Sequence, residues 1–117
     1  VTYKFPDVPA ALLEVIPHAA LWLDSVDELV NHIYSAGGNE TGPLRFDRIV
    51  INTYGPGRDA ARAEAEQVRE LITAAPHETA EGLLDNVDIE VVPHDVLFTS
   101  DTVTQYQAIY RVHTRPI

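Results

Sequence analysis

Apolar residues recur every three or four positions in two stretches of this chain and alternate with polar ones in several others. Behind Asp7 and Pro9, residues Val8, Leu12, Val15 and Ile16 keep helical spacing. This predicts a short helix within 5–16, with Asp7 as N-cap, Pro9 in the first turn where a missing N–H costs nothing, and Pro17 as the stop. The same spacing returns at Ala61, Ala65, Val68, Leu71, Ile72 and Ala75, predicting a helix over 59–75 capped by Asp59 and ended by Pro76. Its small-residue start suits close packing on a sheet, while Arg62, Glu66, Arg69 and Glu70 fall on the outward face.

Strands are expected elsewhere. Residues 18–24, "HAALWLD", read as a strand, although so short an apolar run also fits a helical turn. Residues 28–36 read as a strand entering a polar loop, "GGNETGP", at 37–43, and 46–54 form a further strand. Two more fall at 86–92 and 102–114. In the last, Tyr106, Ala108, Tyr110 and Val112 share one face and Gln105, Gln107, Arg111 and His113 the other, so one side is expected to be buried and the other wet. The order is helix, three strands, helix, two strands. With one long helix to make a crossover, this predicts an α+β fold, a mixed and mostly antiparallel sheet of about five strands with two helices packed on one face. No repeat or linker divides residues 1–117, which are expected to form a single domain.

Composition narrows the function classes. Ten more acidic than basic residues give a net charge of −10, so the long-range field repels phosphate backbones and anionic membranes. The arginines are interleaved with acids instead of clustering, which disfavours a nucleic-acid grip. There is no cysteine, which removes disulfides, thiolate zinc sites and cysteine catalysis. No apolar run approaches the roughly 20 residues of a membrane span, and no secretory leader is recognisable, so the expectation is a soluble protein.

The chemical motifs are bland. "GPGRD" at 55–59 follows a strand and opens a helix, the layout of a phosphate cradle. It lacks the lysine beside Ser or Thr of a P-loop and the G-x-G-x-x-G of a dinucleotide site, and Asp59 stands where an anion would sit. A tight turn is the simpler reading. The five histidines lie in none of the spacings that hold zinc, and His94 beside Asp95 is the best local pair. Glu64, Glu66 and Glu70 read as a solvated helix face. No serine stands in G-x-S-x-G, so no catalytic, cofactor or metal residue is assigned. The feature least explained by solubility is Val96-Leu97-Phe98, an apolar group at the expected tip of the 93–101 connection.

Taken together, the N-terminal "FPDVPAALLEVI", the strand "RFDRIVINTYG" running into "RDAARAEAEQVRELITAAPH", and the closing "YQAIYRVHTRPI" are similar to tail terminator (tail completion) proteins of long-tailed bacteriophages. The resemblance covers nearly the whole chain and lies in element order and spacing. It implies a structural, non-enzymatic protein of the virion, assembled in the host cytoplasm as a homo-oligomeric ring, usually a hexamer, at the head-proximal end of the tail. There it stops polymerisation of the tail tube protein and offers the surface that joins the head-tail connector proteins. DNA would pass through the ring without specific binding, and no cofactor is implied. Exposure and chemistry make Val96, Leu97 and Phe98 the expected apolar anchor of the protein interface, with Asp95 and Asp101 as its polar rim. Asn39 and Glu40 in the glycine-rich loop form a second expected contact, and Arg58 and Arg62 are expected to pair with acidic residues of a neighbouring subunit. The alternatives are another neck protein such as a head-tail stopper, or a small ligand-binding or enzymatic domain using His94, Asp95, Gln105, Gln107 and Arg111, which requires a deep pocket.

Overall fold

In the computed structural model, residues 3–23, 28–98, 100 and 102–117 are described. Helix α1 (Val8–Leu12) leads to a short strand β1 (Ala19–Ala20). Strands β2 (Val30–Thr41) and β3 (Leu44–Gly55) follow, then helix α2 (Arg58–Thr73), β4 (His77–Thr79), β5 (Gly82–Val96) and β6 (Thr104–Thr114). Among the described residues the strands make one sheet of six in the order β1-β2-β3-β6-β5-β4. Among the described residues only the β1–β2 pair is parallel; the other pairs are antiparallel. The expected class is therefore right, with six strands instead of about five.

Both helices lie on the same face. Val8 and Leu12 from the first, Ile16 from the turn after it, and Val68 and Ile72 from the second share one buried cluster with Ile33, Ile49, Ile51, Ala108, Tyr110 and Val112 of the sheet. Asp7 caps α1 as expected, its carboxylate accepting from Ala10 N at 3.3 Å. Asp59 does not cap α2: the N-cap is Gly57, at φ 96°, and Asp59 stands inside the first turn. Its carboxylate still faces the positive end of the helix dipole there. At the other end, His77 Nε2 bonds the Ile72 carbonyl at 2.9 Å, occupying an acceptor that the last turn leaves free. Gly55 is a glycine for space, since a Cβ would come within 3.1 Å of the Ala61 backbone, where α2 crosses the sheet.

Three strands depart from their expected lengths. The stretch "GGNETGP" is not a loop. Its residues 37–41 continue β2, Gly38–Thr41 pairing with Asp47–Leu44 of β3 after a register shift between Ser35 and Gly38. The close pass requires glycine at position 38, where a Cβ would fall 2.0 Å from the Phe46 carbonyl oxygen. Strand β5 runs well past 86–92 in both directions, and β1 keeps only two residues of the expected 18–24. The last strand alternates as expected: Tyr106, Ala108, Tyr110 and Val112 are buried, and Arg111 is exposed.

Tyr110 is fully buried, and among the described residues its hydroxyl has no hydrogen-bond partner. Burial raises its pKa far above the usual phenol range. Because an unpaired buried hydroxyl opposes folding, Tyr110→Phe is expected to raise the unfolding free energy by about 1 kcal/mol in a urea titration.

Candidate assembly surfaces

The described residues of the expected interface fall at the two ends of the sheet, Arg58 and Arg62 on the helix that packs there. Register places Asn39 and Glu40 beside Phe46 and Arg45, and Asp95 and Val96 beside Tyr106 and Gln105. The rise along β3 from Arg45 to Tyr54 spans roughly 30 Å, in a molecule 52 Å long and about 23 Å across.

At the α2 end, β5 stops at Val96 and the next residue, Leu97, is 99% exposed. Phe98 turns back onto the sheet, its ring 5.3 Å from that of Tyr54 in an edge-on contact. The apolar triplet therefore separates into a strand residue, one fully exposed side chain and one packed ring. Asp95 Oδ2 lies 3.4 Å from Arg58 Nε of the same chain. Arg58 thus has an acidic partner within its own chain, whereas Arg62 is exposed on α2. Tyr106 is buried against Ala61 and Ala65 beneath this pair. Its pKa is raised first by burial and then by its hydrogen bond to Asp95. Asp101 lies outside the described residues.

At the hairpin end, Asn39 and Glu40 are strand residues of β2, not loop residues. Glu40 is 3.4 Å from Arg45, which also reaches Asp47 at 3.0 Å and lies over the Phe5 ring at 5.4 Å. A cleft of about 250 Å³ beside them is lined by Leu44, Phe46, Thr114 and Arg115 among others. That is small for a substrate pocket.

The face of the sheet opposite the helices carries polar pairs that sequence reading did not find. Glu90 accepts from Arg48 Nε at 2.8 Å and from Arg111 Nε at 2.9 Å, and Arg111 lies 5.5 Å from the Phe46 ring centre. The hydrogen bond from Arg48, then that from Arg111, lowers the Glu90 pKa. The stabilisation from this clamp is therefore present above the ordinary carboxylate value and is lost as pH falls through the lowered one. His113 meets Asp88 at 2.9 Å, and Asn52 accepts from both Gln105 and Gln107. His94 bonds its own backbone at Val92 O. Of the residues named for an enzymatic alternative, Gln105 and Gln107 meet at Asn52, while His94, Asp95 and Arg111 bond elsewhere, so the set does not converge on one cleft. Among the described residues, no three His, Asp or Glu side chains are grouped to hold a metal, and no helix is long and apolar enough to cross a membrane.

Glu64 overturns its expected place on the solvated face of α2. It is 7% exposed, and its Oε2 accepts from Asn31 Nδ2 at 2.9 Å. Asn31, wholly buried, also donates to the Pro17 carbonyl at 2.8 Å and accepts from Thr53 Oγ1 at 2.7 Å. Glu64 stands three residues after Ala61 and four before Val68, so the apolar periodicity already put it on the buried face.

The architecture defines an α+β protein whose one long sheet carries both helices on a single face. No protein-family model matches the sequence, and no curated protein does. The fold is similar to that of a chain in the solved virion of a native gene transfer agent particle. That similarity has a TM-score of 0.62 at 16% sequence identity and covers 93% of this chain and 85% of the other.

Proposed function

We propose that this chain is a structural component of a phage-type particle and that it acts as a tail terminator. In this reading it forms a ring, of six copies by analogy with the family it resembles, on the head-proximal end of the tail tube. It stops addition of tube subunits and presents the surface for the connector proteins. The observation that carries the reading is the fold, shared over nearly the whole chain with a virion chain. The element order that resembles tail terminators points the same way. Termination needs no bond-making: a heterologous interface whose rotation closes gives a ring, and a ring covering the last tube layer removes the growing edge. The net charge of −10 suits a channel through which DNA moves without sticking, because each phosphate contact would slow it.

The test adds the protein to polymerising cognate tube protein and measures tube length by electron microscopy. Short, uniform tubes are expected, and unlimited growth at saturating protein would count decisively against the role. Leu97→Asp separates contact from folding better than any change at Phe98, which packs on Tyr54. The variant is expected to keep its unfolding free energy within about 0.5 kcal/mol, since the side chain touches solvent. It should lose capping in the tube-length assay.

A further inference from the structure

The sheet ends in two strand edges that other strands cover only in part. β1 pairs with β2 at Asn31 and His32, and β4 pairs with β5 at Gly82–Leu84. Among the described residues, β2 from Ile33 to Thr41 and β5 from Asp85 to Val96 therefore have a partner strand on one side alone. Such edges are templates for pairing with another chain.

We infer that β2 of one copy pairs, antiparallel, with β5 of the next, so that the sheet runs on from subunit to subunit around the ring. The inference rests on the terminator reading and names its subunit contact. Three features of the sheet support a second copy as the occupant. The first is direction: β2, β3, β6 and β5 are successively antiparallel, so β2 and β5 run in opposite senses. Copies related by rotation about an axis along the strands keep that sense and bring the two edges together antiparallel.

The second is height. Asn39 pairs with Phe46, Phe46 with His113 and His113 with Asn86. Ser35 reaches Ile89 likewise, through Ile49 and Tyr110. The uninterrupted part of β5 between its register shifts, Asn86–Ile89, thus lies level with residues 35–39 of β2. Pro93, which has no N–H to donate, falls outside that level.

The third is chemistry. β5 is acidic at Asp85, Asp88 and Glu90, whereas Ser35, Ala36, Gly37, Gly38 and Asn39 are small and uncharged. No like charges face each other across the contact, and Glu40 just beyond is held by Arg45. The glycine-rich stretch, which its own hairpin does not fully explain, becomes the receiving edge.

The chain has no cysteine, so two introduced ones report the contact cleanly. Asn39→Cys and Asn86→Cys place thiols level with each other, on the same face, at exposed positions. The material is ring-sized assemblies, formed by the purified protein at high concentration or collected on the ends of cognate tubes. In these the double variant is expected to oxidise into a ladder of multimers reaching the full ring on a non-reducing denaturing gel, while each single variant stays monomeric. A register displaced by two residues moves the ladder to Asn39→Cys with Asp88→Cys and supports the same contact. Rings that cap tubes yet give no ladder with either pair overturn the edge pairing and leave the terminator reading standing. Cross-linked dimers from Asn39→Cys alone also overturn it, because β2 would then face its own copy. Failure to form rings and to cap removes the terminator reading and this inference together.

Discussion

Asn31→Leu is expected to lower the unfolding free energy by about 2–4 kcal/mol, read from a denaturant titration at neutral pH. The substitution nearly conserves volume, so the loss comes from polar groups left without partners. Asn31 holds three together: the Glu64 carboxylate, the Thr53 hydroxyl and the Pro17 carbonyl. The carboxylate weighs most, because a charge buried without a donor costs more than a neutral group. Glu64→Gln in the Asn31→Leu background should therefore recover part of the loss. A double variant no more stable than Asn31→Leu alone would show that the carboxylate is not what Asn31 stabilises. The network spans α2, two strands and the turn after α1, so its loss should also loosen the parallel β1 contact, whose neighbouring bond runs from Asn31 N to His18 O at 2.8 Å.

Ile72→Ala is the second large expected effect, a loss of about 3–4 kcal/mol in the same titration. Ile72 is fully buried near the end of α2, in the cluster where α1, α2 and the sheet meet. Truncation removes apolar contact and leaves a cavity that residues on three elements would have to collapse to fill. Ile72→Val should cost only about 0.5–1.5 kcal/mol. Equal losses for the two variants would argue against close packing at this position. Set against the 5–15 kcal/mol typical of a domain, either large loss consumes a substantial fraction of stability.

Periodicity carried most of this fold. Alternation placed Tyr106, Ala108, Tyr110 and Val112 on the buried face of β6, and helical spacing placed Ala61, Ala65, Val68 and Ile72 against it. The helix and strand centres were legible because burial on one face leaves its period in the sequence. What was not legible is long-range. Residues 37–41 have a loop's composition, yet pairing with β3 holds them extended, and no local propensity announces a partner strand. Strand β4, three residues long, is too short to show any alternation. Glu64 was misread because charge was weighed above position.

The candidate contacts divide in the same way. Leu97 was recognisable as an apolar residue in a connection, and it is exposed. That Phe98 packs on Tyr54 and that Arg58 meets Asp95 depends on which strands are neighbours, which the sequence does not state. The Arg48–Glu90–Arg111 clamp spans three strands and was invisible for the same reason.

The edge-on stacking of Phe98 has an entropic consequence for its neighbour. Leu97 is gripped on one flank by the end of β5 and on the other by a ring seated on Tyr54. Docking it into a receptor would immobilise little more than its own rotamers, about 0.5–1 kcal/mol, where an unanchored segment would forfeit about 1–2 kcal/mol for each backbone residue made rigid. In the proposed ring, a methyl-rich knob presented this way would be prepaid for recognition, and shallow copies of it around the circle would add up to firm attachment.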